Sequence, residues 1–156
     1  MIHTIVAFSD SHQKEIPERL LNIFEESEYV FFLGDGDNKN ISELAFHPGF
    51  HGVCGNCDVK ALPEEDVVEI DGVRILLTHG DKYHVKRDLN TLLFRAKELN
   101  CSVVFYGHTH FAEIDRFDDI TFVCPGALSN CLSGNPSYAY ATIVDGKFLV
   151  KIVPLA

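Results

Sequence analysis

The chain reads as an α/β protein, a four-layer α-β-β-α sandwich in which two mixed β-sheets pack face to face with helices outside. Two observations carry this. Strand and helix patterns alternate in the first part, and hairpin-connected strands dominate the last. Most strand patterns are also continuous apolar runs, which need cover on both faces, and stacked sheets with outer helices supply it.

Residues 2–8 form an apolar, β-branched strand that ends in Ser9-Asp10-Ser11-His12. Ile16, Leu20, Ile23 and Phe24 mark one face of a helix to about Ser27, with Pro17 suited to its first turn, where a missing N–H costs little. Residues 29–33 are a buried strand ended by Gly34-Asp35-Gly36-Asp37. A short helical or polar piece over 41–46 leads to a strand at 50–54, which Gly55-Asn56-Cys57-Asp58 ends. The pair 67–70 and 73–77, joined by Asp71-Gly72, predicts a tight hairpin that runs into Thr78-His79-Gly80. Val85, Leu89, Leu92, Leu93, Ala96 and Leu99 predict a second amphipathic helix. A strand at 102–106 then meets Gly107-His108-Thr109-His110, and strands at 112–117, 120–124, 138–144 and 147–153 complete the chain. Asp145-Gly146 is a further hairpin turn.

The 156 residues, with no repeat or linker, predict one domain over 1–156. A formal net charge of −10 disfavours a broad nucleic-acid surface and adhesion to an anionic membrane. No apolar run approaches a membrane helix, and the N-terminal stretch lacks the basic region of a signal peptide. Five cysteines, an odd number, suggest reduced thiols and a cytoplasmic location. Oligomeric state is left open.

Five strand ends carry metal-capable groups: Asp10 and His12, Asp35, Asn56, His79, and His108 with His110. Alone, Gly-His-Thr-His also fits a polar loop with two unrelated histidines. On an extended backbone, residues i and i+2 leave on the same side, so both imidazoles would reach one small volume. Sites in open α/β sheets form beyond the carboxyl ends of strands. Converged, the five ends present two carboxylates, four imidazoles and an amide oxygen, a costly set to desolvate without a shared purpose.

Asp-x-His, Gly-Asp, Gly-Asn-x-Asp, Thr-His-Gly and Gly-His-x-His, in this order over residues 2–153, resemble the calcineurin-like metallophosphoesterases, above all their small single-domain phosphodiesterase branch (the YfcE type). The resemblance implies two sheets sandwiched between helices and a dinuclear site at one edge. It implies Asp10, His12 and His110 on a first metal, Asn56, His79 and His108 on a second, and Asp35 bridging both. It implies a divalent-metal-dependent phosphodiesterase in which a hydroxide shared by the ions attacks phosphorus, with Asp35, Asn56 and His79 serving activation and phosphate positioning. The ligand set, nitrogen and oxygen without thiolate, suits manganese, iron, zinc or nickel, and the resemblance implies manganese first. Two aspartates and two divalent ions leave about +2 locally, enough to draw a small phosphodiester to an acidic protein.

The alternatives are a phosphomonoesterase with the same site and a retromer-like interaction scaffold. Cys57 stands where many relatives carry a histidine, which implies weaker help for a poor leaving group. Asp81 stands where many have another histidine, and Cys124-Pro125-Gly126-Ala127 where they often read Asn-Pro-Gly-Ser. Cys54 and Cys57 also fit a redox pair or half a zinc site; a buried Cys54 and a Cys57 at the site edge with Asp58 is the preferred reading. Asp37 and Asp58 read equally as partners that orient ligands or as loop carboxylates. Lys82, Lys86 and Arg87 fit the border of a phosphate entrance, with a solvated helix start the preferred reading, and His3, His47, His51 and His84 read as surface or loop residues.

Overall fold

The structure is a computed structural model that describes residues 1–12, 15–36, 38–56, 62–128 and 135–155, without the side chains of 38–40. The expected four layers are present. The element order is β1 (Ile2–Phe8), α1 (Glu18–Glu26), β2 (Tyr29–Phe32), α2 (Asn38–Leu44), β3 (Phe50–Gly52), β4 (Glu65–Ile70), β5 (Val73–Thr78), a 3-10 turn (Asp81–Tyr83), α3 (Asn90–Glu98), β6 (Val103–Phe105), β7 (Ala112–Phe117), β8 (Ile120–Pro125), β9 (Ser137–Val144) and β10 (Lys147–Pro154). One five-stranded sheet has the order β10-β9-β1-β2-β3 and the other β4-β5-β6-β8-β7. Each mixes parallel and antiparallel pairs. No helix among the described residues is long and apolar enough to cross a membrane.

The period of two along β1 explains why its run is apolar throughout. Ile5 and Ala7 face the core between the sheets, while Val6 and Phe8 face the outer core where Leu20 and Phe24 of α1 pack. The second sheet repeats the pattern. Ile75, Leu77, Val103 and Phe105 point inward, and Leu76 and Val104 point out against Leu92 and Ala96 of α3. Asp71 (φ 48°) with Gly72 (φ 82°), and Asp145 (φ 50°) with Gly146 (φ 75°), have the paired positive φ that a tight two-residue hairpin turn requires.

Three local expectations are corrected. Pro17 caps α1 from outside, its carbonyl accepting from Leu20 and Leu21. The strand expected over 50–54 pairs regularly only over Phe50–Gly52. The helix expected from Val85 starts at Asn90. His84 has φ 56° and reverses the chain, and Val85 is buried beneath Gly80, so its apolar side chain serves a turn. Asp88 Oδ1 accepts the Asn90 N–H at 3.0 Å at the true start.

Strands β1, β2 and β3 run parallel, and so do β5 and β6, so their carboxyl ends share an edge within each sheet. Backbone bonds lock the segments beyond them. Asp10 N–H donates to the Gly34 carbonyl at 3.0 Å, His12 N–H to that of Asp35 at 2.8 Å, and Gly107 N–H to that of His79 at 3.0 Å.

Candidate metal centre

The segments after these strand ends bring all seven predicted side chains together. Asp10, His12 and His110 form one group, and Asp35, His79 and His108 another; within each, one ligand atom per residue lies within 4.8 Å of the others. Asn56 joins the second through Oδ1, 3.0 Å from His79 Nε2. His79 Nε2 also lies 3.2 Å from Asp35 Oδ2 and 4.0 Å from Asp10 Oδ1, so the groups adjoin. His110 Nε2 is 3.3 Å from Asp10 Oδ1 and 3.4 Å from His12 Nε2. Asp10, Asp35 and His79 are buried, His12, His108 and His110 half-buried, and Asn56 exposed.

The adjacent histidines therefore part company, His108 to one group and His110 to the other. The backbone is the reason. His108 (φ 72°) and His110 (φ 68°) are left-handed rather than extended, so the same-side rule for a strand does not apply. Asp10, His12 and Asp35 are left-handed too, with φ of 56°, 53° and 59°. Such backbone is uncommon outside glycine and gathers at functional sites.

Several groups not singled out from the sequence hold these side chains. The Leu33 carbonyl, just past β2, accepts from His79 Nδ1 at 2.7 Å. Ser9 Oγ and the His108 backbone N–H both donate to Asp10 Oδ2, the latter at 3.1 Å. Gly107 lies against Ser9 and Asp10, and Gly55 against Asp35, so closely that a Cβ at either would collide with them. A small hydroxyl residue before Asp10 and glycines before Asn56 and His108 are the sequence traces of this packing.

Burial lowers the pKa of His79, but its hydrogen bond to Asp35 and the charges of Asp10 and Asp35 outweigh that and raise it above the ordinary value. Burial, then the neighbouring charges of His79 and Lys86, hold His108 below its own.

The donor set fits divalent cations. Carboxylate oxygens and imidazole nitrogens face one another in two compact groups, an arrangement in which a cation takes a lone pair from each. Neither group contains a thiol.

A cavity of about 300 Å³ lies on one side of the centre, lined by Asn56, Thr78, Asp81 and Tyr83 among others. A larger groove of about 740 Å³ lies on the β6–β7 side, next to Thr109. Asp81 thus borders a cavity and opens the 3-10 turn after His79. Cys54 is buried. Cys57, Asp58 and Asp37 lie outside the described residues.

Residues 4–146 match the family model described as the calcineurin-like phosphoesterase superfamily domain. A Methanocaldococcus jannaschii protein named probable metallophosphoesterase MJ0623 is 30% identical over 156 residues, spanning 97% of this chain and 81% of its own length. Phosphodiesterase MJ0936 of the same organism is 32% identical over 118 residues, covering 69% of this chain and 66% of itself. Among solved structures, vacuolar protein sorting 29 from Cryptosporidium parvum superposes with a TM-score of 0.81 at 20% identity, covering 99% of this chain and 98% of that one, a likeness of fold.

Proposed function

The chain belongs to the calcineurin-like phosphoesterase superfamily, and on that premise we propose that it is a divalent-metal-dependent phosphodiesterase. The observation that carries the reading is the convergence of seven ligand-capable side chains, from five strand ends, into two adjoining groups. We assign Asp10, His12 and His110 to one ion and Asn56, His79 and His108 to a second, with Asp35 reaching both. Manganese is the preferred metal, with iron, zinc or nickel able to use the same donors. Two such ions would lower the pKa of a coordinated water and polarise a phosphoryl oxygen.

The chain's own groups do the positioning. The Leu33 carbonyl accepts the Nδ1 proton of His79 and so turns Nε2 toward the centre. Ser9 and the His108 amide hold one oxygen of Asp10, which orients the other. Asn56 supplies a neutral oxygen, so the centre keeps its attraction for phosphate. Residues 1–156 act as one domain, and the buried thiols of Cys101 and Cys124 suit a reducing cytoplasm.

Two features support a diester. A similar protein carries the name phosphodiesterase. Two recesses also adjoin the centre, one lined by Asn56 and one by Thr109, which gives room for a substrate with two ester arms. The complete ligand set argues against a purely scaffolding role, which has no use for it.

The test compares hydrolysis of bis(p-nitrophenyl) phosphate and p-nitrophenyl phosphate by purified protein, with and without manganese. Manganese-dependent cleavage, faster on the diester and abolished by chelation, is expected. Undiminished cleavage by metal-free protein would overturn the metal-dependent mechanism. Faster cleavage of the monoester would overturn the diester assignment.

A further inference from the structure

Resting on the metal-dependent reading, we propose that Thr109 is the positioning residue for His110, its hydroxyl fixing the turn that holds this imidazole on the ion shared with Asp10 and His12. Thr109 stands between two histidines that belong to different groups. Its Oγ1 accepts the Phe111 N–H at 3.2 Å. That bond runs from a side-chain oxygen to the amide two residues on, and it closes a small turn with His110 at its centre. His110 has φ 68°, a conformation that costs an L-residue free energy and that the turn offsets.

The turn is anchored from behind. Thr109 Oγ1 lies 3.6 Å from Cys124 Sγ, and Cys124 is fully buried near the end of β8. An oxygen that accepts an amide keeps its own proton, so one hydroxyl can serve both partners. The β7–β8 register sets Glu113 opposite Cys124. The chain therefore leaves Cys124 at Thr109 and returns to it at Glu113, which pins both ends of the segment that carries His110. Branching at Cβ stiffens χ1, so a threonine keeps its hydroxyl aimed at these partners.

His108 is held differently. Its N–H donates to Asp10 Oδ2 at 3.1 Å, and the Gly107 N–H before it donates to the His79 carbonyl at 3.0 Å. Its ring packs edge-on to that of His79, with 5.0 Å between centroids. None of these contacts uses the Thr109 side chain. His110 reaches its group across the turn, with Nε2 3.3 Å from Asp10 Oδ1 and 3.4 Å from His12 Nε2. Loss of the hydroxyl therefore acts on one ion and spares the other, which separates positioning from a general loss of structure.

The test is calorimetric titration of the whole metal-free protein with manganese, using His108→Ala and His110→Ala to mark which binding step belongs to which group. Thr109→Val keeps the shape and removes the hydroxyl. It is expected to weaken the step that His110→Ala removes about tenfold and to leave the other step at the parent affinity. Thr109→Ser keeps the hydroxyl and is expected to restore the weakened step. A thermal melt checks that each variant folds, and Thr109→Ala repeats the comparison with less bulk beside Cys124. Two binding steps that both hydroxyl-free variants leave unchanged overturn the assignment and spare the metal-dependent reading. Equal weakening of both steps, or a serine variant as weak as the valine one, also overturns it, because packing and not the hydroxyl would then be responsible. A parent protein that binds no manganese defeats the metal-dependent reading and this assignment with it.

Discussion

His79 Nδ1 lies 2.7 Å from the carbonyl oxygen of Leu33, a hydrogen bond that joins the end of β5 in one sheet to the end of β2 in the other. A carbonyl can only accept, so the bond fixes the proton on Nδ1 and leaves Nε2 for the centre. Replacing His79 with alanine removes a proposed ligand and the link together. Metal analysis after reconstitution should show one equivalent fewer, and diester hydrolysis should fall at least about 100-fold. Full metal content with undiminished hydrolysis would exclude His79 as a ligand.

The two groups predict separate behaviour for neighbouring histidines. His110→Ala should weaken the ion held with Asp10 and His12, and His108→Ala the ion held with Asp35 and His79. Stepwise metal titration should leave a different tight site intact in each variant. Asp35→Asn should disturb both steps. Identical titrations of the two histidine variants would contradict the assignment.

Gly34 has φ 105°, and a Cβ there would sit 2.6 Å from His79 Nδ1 and 2.7 Å from the Gly55 nitrogen. Gly34→Ala should cost about 1–3 kcal/mol in chemical denaturation and weaken metal binding, because His79 must move. A variant as stable as the parent with normal affinity would show that the neighbours yield freely.

Ser9→Ala tests orientation without removing a ligand. Losing the hydroxyl that donates to Asp10 Oδ2 should weaken metal affinity about 10- to 100-fold, while the fold persists. Calorimetric metal titration reads the change, and an unaltered affinity would show that the Ser9 hydroxyl does not orient Asp10.

Glu65, Tyr83 and Arg95 form a network beside the cavity that Asn56 lines. Tyr83 Oη donates to Glu65 Oε2 at 2.6 Å, and Arg95 pairs with the same carboxylate. Burial raises the Glu65 pKa, but the hydrogen bonds from Arg95 and Tyr83 outweigh it and hold it below the usual 4.5. Its stabilisation is therefore complete above about pH 4.5 and is lost as pH falls through the folded value. Burial, then the bond to Glu65, raises Tyr83 to about 12, so its contribution fades as pH climbs from 10 toward 12. Denaturation midpoints across pH should show both limbs. Glu65→Gln should flatten the acid limb, and Tyr83→Phe the alkaline one.

The layers were legible because Ile5, Val6, Ala7 and Phe8 are all apolar, and only cover on both faces explains that. The site residues were legible because aspartate, histidine and asparagine recur at strand ends with glycine beside them. Backbone direction was not. Val85 and Leu89 keep helical spacing, yet a left-handed His84 turns the chain between strand and helix. Nor does composition reveal that Leu33 offers its carbonyl to a ligand 46 positions away, since any residue can do so. The larger groove was not legible either, because Lys86 and Asp115 come to line it only through folding.

The left-handed backbone at Asp10, His12, Asp35, His108 and His110 also bears on how such a chain can change over generations. Each of these residues holds a conformation that costs an ordinary L-residue about 1–2 kcal/mol, somewhat less for aspartate and histidine. Selection for the centre must continually oppose that cost. Once the centre ceased to matter, replacement of any of the five by glycine would relieve it, so mutations that erode activity would also be rewarded with stability. A lineage of this fold that no longer needed the centre would thus drift readily toward an inactive, sturdier form.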